Sequence, residues 1–560
     1  MADPATSSDK GKKEVEREFA ERLFEARQQK IPFDIDMRES YFFAAPHRQR
    51  SVLSTTRPSK WKPQDSGELN QSFAFETCGD FPTVIQNTFM PEAADWVLRA
   101  APIGTPPAQK VQAEEKAKEG TSEIFKSIAT SNFYAEFAKS ANPDLAIGTI
   151  AMWVDNGRPG QPRKCQSIPI RELEINLDGE GMIDDRFVCR WMRRRYVKRI
   201  FKDVELPKKV MGKPRQNEED RIPVVWGFWR VYDDREEEAW MHAVTIDGEI
   251  VGEPTTIRGS GCCPLIVGRF NPGPEWAWGV GPMIQCLPEF RNLDELASGK
   301  IRNLDQMLQP SLSWPDDSFA NIEGGLESGM AYPIRPGTAG DIKNIYTPNP
   351  PDAAIYDRQD LEQRIKRLFF LDWPQQRGDT PPTATQWYDE MAMAQRRIGT
   401  PALPFWKEFP AQIFGRFEYL MTEAGEIEKI EVLDANGQPR RLTMMPYNPA
   451  QKAQEQQDIA SASRFLGLVM PTFPEEAKIA IDGTVTIKNL LAKFGVEKII
   501  AMRDPDKVNA AIQQMTQLQG GQPGAVPDSA QQNPATGTPQ PDLAGPAPAQ
   551  PQYQLRSKSF

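Results

Sequence analysis

Prolines limit what this chain can fold into. The sequence has 50 prolines among its 560 residues, nearly twice the usual share. Proline fixes its own φ angle, donates no backbone hydrogen bond and disfavours helical geometry in the residue before it. A high proline content therefore predicts many turns, helix starts and long connections. This predicts a mixture of bounded helices, short strands and long connections.

Composition argues against several classes of protein. The formal charge of −10 does not suit a free-standing nucleic-acid binder with a basic footprint. Two histidines, His47 and His242, and the lack of a GxxxxGK[ST] sequence argue against a histidine-based zinc site and a Walker-type ATP site. No apolar run reaches the roughly eighteen residues of a membrane span. We expect no membrane contact, and reduced thiols in a cytosolic setting.

The N-terminal part of the chain is mostly polar. We expect residues 1–14 to form a disordered arm. Residues 14–27 should form a surface helix, because apolar residues recur there every three or four positions. Residues 28–70 are polar and broken, and we expect a solvated arm or a strap between subunits.

The middle of the chain changes from helical to β-rich. The helical pattern of 71–141 ends at Asn142-Pro143, and a buried strand is expected at 145–154. The β-rich stretch covers 145–275, with a hairpin turn at Asp247-Gly248. Further strands are expected at 187–191, 224–231, 239–246 and 265–270.

Two helices are predicted to flank a proline-rich insert. Apolar residues recur at helical spacing over 288–309, and the early proline there is acceptable because it stands in the first turn. The insert, 310–355, has short strand candidates at 331–334 and 341–346. A second helix is expected over 356–371.

A polar loop and further helices complete the chain. Residues 372–382 cannot form a helix or a strand, and a loop this long in a helical region is uncommon and often functional. Residues 383–448 predict long helices, ended by Gly425, and a hairpin. Shorter helices are expected over 449–518. Residues 519–560 are rich in proline, glutamine, alanine and glycine, which predicts disorder.

Carboxylate clusters are the candidates for catalysis or cation binding, but each stands in a predicted turn. Solvated carboxylates are common in turns, whereas a catalytic pKa needs burial. We therefore predict no catalytic residue, no cofactor and no metal site. Adjacent cysteines rarely pair with each other, so Cys262-Cys263 should be buried thiols at a strand edge. The carboxylate clusters are Asp184-Asp185, Asp233-Asp234, Glu236–Glu238 and Asp316-Asp317.

The densest basic run is Arg193-Arg194-Arg195, followed by Lys198, Arg199 and Lys202. On a strand, alternate residues would face opposite sides of the sheet, which weakens a single DNA-binding patch. Arginine is enriched in protein–protein interfaces. We therefore favour a subunit interface for Arg193, Arg194 and Arg195 over a nucleic-acid contact.

Several stretches of the sequence become diagnostic when they are taken in order. They are Phe89–Trp96, Ser131–Tyr134, Ile147–Thr149, Ile168–Leu173 with Gly181, Trp278–Pro282, Leu287-Pro288 with Leu293, Arg367–Phe370, Thr383–Thr385, Gly399–Pro401 and Ala424-Gly425. None is a sharp motif alone. Their order and spacing over about residues 15–518 resemble the head-to-tail connector (portal) proteins of podovirus-like bacteriophages.

The resemblance implies an α+β portal fold. It also implies a ring of twelve subunits at one capsid vertex, around a channel for genome packaging and ejection. The tail 519–560 is not part of the family pattern. The implied parts are a mixed α/β wing (15–287 and 383–448), paired stem helices (288–309 and 356–371), a small α/β clip (310–355), a tunnel-like loop (372–382) and a helical crown (449–518).

The resemblance also implies partners and a location. The partners are the other subunits of a homo-dodecamer, the major capsid protein, a scaffold, a transient terminase, a tail adaptor and double-stranded DNA. The location is the virion, after synthesis in the host cytoplasm. Proteins of this type are not enzymes, because the terminase supplies the ATPase. Twelve copies at −10 would carry −120, which favours repulsion of the passing DNA. For DNA contact we predict Arg377, with Gln375, Gln376 and Asp379.

Two alternative functions remain open from the residues alone. A carboxylate-dependent hydrolase using Asp184 and Asp185 would be a monomer or small oligomer with a deep acidic pocket. Another ring-forming virion protein, such as a head-completion or tail component, would usually be much smaller. Paired helices around an insert would then have no role.

Overall fold

The fold is seen in a computed structural model of the chain. The chain divides into two compact units, residues 1–461 and 462–560. In the second unit the structure describes only Ala462, 464–467 and Pro471. In the first it describes 4–48, 51–57, Gly67, 69–92, 94–102, 105–202, 204–207, Val210, 221–232, 238–310, 312–315, 331–334, 343–344, 352–372, 397–399, 401–433 and 439–447.

The described residues form helices and mostly antiparallel strands, which confirms the α+β class. Short 3₁₀ turns cover Ile31–Phe33 and Ile170–Glu172. The helices are α1 (Pro4–Lys30), α2 (Asp34–Ala44), α3 (Phe73–Phe89), α4 (Pro107–Thr130), α5 (Phe133–Ile147), α6 (Arg194–Ile200), α7 (Pro282–Gln285), α8 (Leu287–Leu308), α9 (Asp352–Leu368) and α10 (Pro410–Glu423). The strands are β1 (Val97–Ala100), β2 (Thr149–Asp155), β3 (Lys164–Ile168), β4 (Leu173–Leu177), β5 (Ile183–Arg193), β6 (Arg221–Arg230), β7 (Ala239–Ile246), β8 (Glu249–Ile250), β9 (Thr255–Arg258), β10 (Leu265–Arg269), β11 (Leu312–Pro315), β12 (Ala331–Ile334), β13 (Lys343–Asn344), β14 (Glu431–Leu433), β15 (Pro439–Arg441) and β16 (Thr443–Pro446).

The largest sheet in the described part of the chain has six strands. Its order is β4-β5-β6-β7-β8, and β9 pairs with the other end of β7. The strands predicted at 187–191, 224–231 and 239–246 coincide with parts of β5, β6 and β7. Asp247 and Gly248 have φ angles of 54° and 91°, as the central residues of a type I′ turn require. The predicted hairpin turn is therefore confirmed.

Helix α1 packs one face against this sheet. Phe19, Leu23 and Ala26 are buried among apolar residues of β5, β6 and β7. The Phe19 ring meets Phe187 and Trp229 edge to face, with centroids 5.3 and 5.9 Å apart. The helix predicted over 14–27 is confirmed. The helix begins at Pro4, so part of the segment expected to be a disordered arm, 1–14, is helical.

The segment 28–70, expected to be a solvated arm or strap, contains a buried helix. Met37, Tyr41 and Phe43 of α2 belong to the main hydrophobic core. Polar residues around them pair with partners elsewhere in the chain; for example, Nη1 of the half-buried Arg48 lies 3.2 Å from Oδ1 of the buried Asp144. The expectation is wrong because partners far away in the sequence neutralise these polar groups, which a local pattern cannot show.

Helix α5 has the apolar face that the sequence predicts, with Phe133, Phe137 and Ala141 buried. Asn142 has φ −101° and ψ 113°, so helical geometry is interrupted at the predicted stop. Helical geometry resumes at the next residue and continues to Ile147. The strand predicted from residue 145 therefore begins only at Thr149, as β2.

Gly148 is the point where three backbone segments meet. Its carbonyl accepts a hydrogen bond from Phe270 N at 2.8 Å. Its φ is +136°, and a Cβ there would lie 2.5 Å from Gly281 N and closer still to Gly279 O. Only glycine combines this conformation with this close approach. The junction joins α5, β2 and the segment that precedes α7.

Buried arginines join a second antiparallel sheet, β10-β2-β3, to the C-terminal helical residues. Arg269 of β10 donates from Nε to the Glu408 carboxylate at 3.0 and 3.1 Å. Arg416 of α10 donates to the carbonyls of Val154 at 3.1 Å and Cys262 at 2.6 Å. Charge-assisted hydrogen bonds of this kind are stronger than neutral ones, so they fix α10 against the sheet.

The two helices predicted to flank an insert are present as α8 and α9. The second begins a few residues earlier than predicted. Between them in sequence, β12 pairs parallel and β13 antiparallel to β11. The strand predicted at 331–334 is confirmed as β12, and the described residues of the one predicted at 341–346, Lys343–Asn344, form β13.

The end of the first unit follows the predicted order. Gly425, with φ 71°, follows α10 as the predicted C-terminal glycine, and Glu426 N donates to Met421 O at 2.9 Å. Strands β14 and β15 form the predicted hairpin, but β16 pairs with β1 instead. Most of the segments predicted over 373–396 and 449–518, and all of 519–560, lie outside the described residues.

We expect Gly148→Ala to destabilise the protein by at least about 2 kcal/mol. Left-handed geometry costs about 1–2 kcal/mol for other residues, and the added methyl overlaps backbone atoms that cannot move separately. The midpoint of urea unfolding, followed by tryptophan fluorescence, measures the change.

Gly299→Ala is the matched control. This glycine lies within α8, and a Cβ there meets nothing within 4 Å. Alanine should stabilise a helix interior by about 0.5–1 kcal/mol relative to glycine. Equal effects of the two substitutions would contradict the role assigned to Gly148.

Candidate functional site

The residues predicted to contact DNA, Gln375, Gln376, Arg377 and Asp379, lie outside the described residues. The residues on either side of them are described. Asp372 follows α9, and Arg397 begins the next described segment. The Arg397 Nη1 atom lies 2.6 Å from Asp372 Oδ2, and its Nη2 donates to Arg367 O at 3.1 Å. The described residues on either side of 373–396 therefore lie close together.

The predicted interface arginines lie where the large sheet ends. Arg193 is the last residue of β5, and Arg194 and Arg195 begin α6. The assumption that the run lies on a strand is wrong, because the strand changes into a helix at this point. Arg193 and Arg195 are exposed, and the Arg195 guanidinium lies 4.8 Å from the centre of the Tyr196 ring.

The helical geometry brings more of the basic run together. Residues three and four apart lie on the same face of a helix, so Lys198 and Arg199 lie near Arg195, and both are exposed. We call Arg193, Arg195, Lys198 and Arg199 the basic surface. Val197, on the opposite face of α6, is fully buried and anchors the helix. The basic surface is therefore held in place by a small apolar cluster.

Among the described residues, helix α8 is buried at its N-terminal end. Its first turns bury Leu287, Phe290 and Leu293. The remainder of the helix exposes large apolar side chains, which we call the apolar stripe. These are Ile301 (46% exposed), Leu304 (53%), Met307 (52%) and Leu308 (73%). We treat the apolar stripe as a candidate surface for contact with another protein.

Asp184 and Asp185, predicted to be solvated turn carboxylates, lie in β5 and are 8% and 1% exposed. Arg22 Nη1 lies 2.9 Å from Asp185 Oδ1 and 3.3 Å from Asp184 Oδ2. Burial raises the pKa of Asp185 to about 6, because the loss of hydration outweighs the attraction of Arg22. The same contact raises the pKa of Arg22, whose side chain keeps more water. The pair fixes α1 to the sheet.

A second buried ion pair, Lys30 with Glu174, had no distinguishing pattern in the sequence. Lys30 Nζ lies 3.6 Å from Glu174 Oε1 and donates to the carbonyls of Ile170 at 2.7 Å and Leu173 at 2.8 Å. Burial lowers the pKa of Lys30 and raises that of Glu174. A lysine among polar residues looks solvated in sequence, so only the fold identifies it as structural.

The cysteines are buried free thiols, as predicted for Cys262 and Cys263. Burial raises the pKa of Cys262 to about 12, so its thiolate is scarce at neutral pH. His242 stacks on the Phe228 ring with centroids 4.4 Å apart. In the described part of the chain, no three His, Cys, Asp or Glu side chains cluster so as to hold a metal ion. None of the described helices is long and apolar enough to span a membrane.

Comparison with known families identifies the class of protein. A family model described as "Bacteriophage head to tail connecting protein" matches residues 16–501. A match of this extent makes the chain a structural protein of phage-type particles, and the connector function predicted from the sequence is confirmed. The chain belongs to the bacteriophage head to tail connecting protein family.

Solved structures of gene transfer agent (GTA) particles are similar to this chain. "Neck of empty GTA particle computed with C6 symmetry" is 12% identical over 70% of this chain and 87% of that chain, with a TM-score of 0.33. "Virion of native gene transfer agent (GTA) particle" is 12% identical over 69% and 89%, with a TM-score of 0.30. "Neck of native GTA particle computed with C12 symmetry" is 14% identical over 76% and 93%, with a TM-score of 0.30. No curated protein matches the chain significantly.

We expect Asp185→Asn to change how stability depends on pH. The native carboxyl has a pKa of about 6, against about 3.9 in an unfolded chain, so the native state binds the proton more readily. The stability that the protonated form contributes is present below about pH 4. It is lost as the pH rises through 6, by about 2–3 kcal/mol. Urea unfolding from pH 4 to pH 7 should show the wild type losing stability relative to the variant.

Asp360→Asn, at an exposed carboxylate of α9, is the control for loss of one carboxylate. Both variants are compared with the wild type at each pH. A stability difference between wild type and Asp185→Asn that stayed constant from pH 4 to pH 7 would refute the assignment of Asp185.

Proposed function

We propose that twelve copies of this chain form a closed ring at one capsid vertex, around a channel for DNA. The observation that carries the proposal is the membership of the head to tail connecting family. DNA that passes from head to tail needs an opening through the connector. Closed cyclic symmetry is the common way in which identical chains form one. The number twelve comes from the resemblance of the sequence.

Each proposed part of the portal fold is assigned to helices and strands that the structure describes, where these are available. We assign α8 and α9 to a stem and the three-stranded sheet of β11, β12 and β13 to a clip. The wing would contain the sheets of β4–β9 and of β10-β2-β3, together with α10. The crown at 449–518 and the tail at 519–560 remain predictions, since they lie almost wholly outside the described residues.

Two surfaces are proposed as contacts between subunits. The apolar stripe of α8 would lose water contact against the neighbouring subunit, at about 25 cal/mol for each Å² of apolar surface that is covered. The basic surface of α6 would face acidic groups of a neighbour, which are plentiful because the chain carries a formal charge of −10. Apolar contact would supply affinity, and charge would fix the orientation of the subunits.

The loop that begins after Asp372 is proposed to contact DNA in the channel. The ion pair of Asp372 with Arg397 anchors the first residue of this loop, predicted at 372–382, to a residue further along the chain. Arg377 would meet phosphate groups briefly, with Gln375, Gln376 and Asp379 beside it. Few cationic groups suit a channel through which DNA must slide, because each neutralised phosphate adds affinity.

The remaining partners are proposed from the function. The clip would meet the packaging terminase and later the tail adaptor, and the wing would meet the major capsid protein and the scaffold. The connector itself is proposed to have no catalytic role, with the terminase supplying the ATPase. Its location would be the head-to-tail junction of the virion, after synthesis in the host cytoplasm.

Native mass spectrometry of the purified chain is expected to give a species of about 757 kDa, twelve times 63.1 kDa. Leu304→Glu should lower the fraction of chain in that species, because the substitution places a charge in the apolar contact. Arg193→Glu combined with Arg195→Glu should lower it as well, by reversing the charge of the basic surface.

Leu403→Glu is a matched control, since this leucine is 55% exposed on a different helical segment. It should leave the ring fraction unchanged. A chain that stays monomeric at high concentration and with scaffold present would refute the ring. A ring that tolerates both sets of substitutions would refute the two contacts.

Arg377→Ala is expected to reduce the number of DNA-filled particles, because the variant loses a phosphate contact that helps to retain packaged DNA. Counting full and empty particles by electron microscopy measures the effect. Arg358→Ala, which removes an exposed arginine of α9, is the control. Normal packaging and retention by Arg377→Ala would show that this residue does not contact DNA.

A further inference from the structure

A second exposed apolar surface lies near the N-terminus of the chain. Phe24 is 62% exposed, Ile31 52% and Ile35 68%. Their spacings of seven and four residues are about two turns and one turn of helix, so the three side chains share one face. We call Phe24, Ile31 and Ile35 the α1–α2 row. In the described part of the chain, this row and the apolar stripe of α8 are the two helical surfaces that expose three or more large apolar side chains.

The α1–α2 row is held in place by the opposite face of the same helices. Helix α1, the 3₁₀ turn at Ile31–Phe33 and helix α2 follow one another without a break. Leu23 and Ala26 of α1 are buried against the large sheet, and Met37 of α2 is buried in the main core. The row is therefore ordered before any partner arrives, which reduces the entropy that binding would cost.

A closed ring needs two different surfaces that fit each other. In a ring of more than two identical chains, one surface of each subunit meets a different surface of the next, whereas a surface that meets its own copy closes as a dimer. The α1–α2 row and the apolar stripe are both exposed, so they do not cover each other within one subunit. They are also similar in length. At 1.5 Å per residue, the row covers about 17 Å and the stripe about 11 Å.

The charged residues beside the two surfaces are of opposite sign. Lys300 stands one turn before Leu304 of the stripe, and Glu25 follows Phe24 of the row; both Lys300 and Glu25 are exposed. Neither has an ion-pair partner within the described part of the chain. Charges of opposite sign at the rim of an apolar contact favour one alignment of the two helices over others.

We propose that the apolar stripe of α8 in one subunit packs on the α1–α2 row of the next subunit, with Lys300 facing Glu25. This inference rests on the proposed ring and names the surfaces that join its subunits. The contact removes apolar side chains of both helices from water, at about 25 cal/mol for each Å². An interface of standard size buries about 800 Å² on each partner, so the row and the stripe form the apolar centre of a larger contact.

Cysteine cross-linking of the assembled full chain tests the contact. The six native cysteines are buried, so Ile31→Cys combined with Leu304→Cys supplies the reactive thiols, and cysteine is apolar enough to keep the contact. A short bismaleimide is expected to join successive subunits, which gives a ladder of dimers, trimers and larger products on a denaturing gel. Each single variant should give no ladder. Leu403→Cys combined with Leu304→Cys is the matched control and should give none either, because Leu403 is exposed on a different helical segment.

Exchange of the two charges is an independent test. Lys300→Glu should lower the fraction of chain in the twelve-subunit species by at least about twofold, because it places like charges together at every contact. Adding Glu25→Lys should restore that fraction. Lys126→Glu, at an exposed cation of α4, should leave it unchanged, and thermal unfolding verifies that every variant is folded.

The outcomes separate this contact from the ring itself. A wild-type ring whose Ile31→Cys, Leu304→Cys variant gives no ladder would overturn the contact and leave the ring standing. Failure of Glu25→Lys to restore assembly would overturn the contact as well. Cross-linked dimers from Leu304→Cys alone would show that the stripe meets its own copy instead. A wild-type chain that forms no ring would refute the ring and this contact together.

Discussion

One buried carboxylate, Asp144, joins segments that are far apart in the sequence. It accepts hydrogen bonds from Tyr41 Oη, from Arg48 Nη1 at 3.2 Å and from Ile170 N at 3.2 Å. Burial raises the pKa of Asp144 and of Tyr41, so each group depends on the others for its polar partners. This cluster makes helix α2 part of the core, and the packing of the described first unit depends on it.

Local patterns in the sequence correctly predicted the turns and helices that depend only on neighbouring residues. The Asp247-Gly248 turn and the apolar spacing of α8 need only neighbouring residues, and both appear where they were expected. Helix α2 and the buried Asp185 could not be predicted, because their burial depends on partners such as Asp144 and Arg22. For the candidate site, Arg193 and Arg195 are exposed, and the interface role of Arg193–Arg195 and the DNA contact of Arg377 remain predictions.

The distribution of charge contributes both to the stability of the fold and to the proposed function. Cations such as Lys30, Arg269 and Arg416 lie inside, bound to carboxylates and carbonyls, and hold the sheets and helices together. The outer surface is left with an acidic balance, which suits a protein that DNA must pass without adhering. A concentration of exposed cations lies at α6, and there we infer contact with protein.

The apolar stripe affects how a separate subunit behaves before assembly. Helix α8 is 22 residues long, about 33 Å at 1.5 Å per residue, and the apolar end of this rod has no cover within the described part of its own chain. In the proposed ring, each neighbour that joins would remove apolar surface of this stripe from water. The separate subunit would then be more prone to aggregate than the ring, and the timing of its synthesis relative to its partners would matter for assembly.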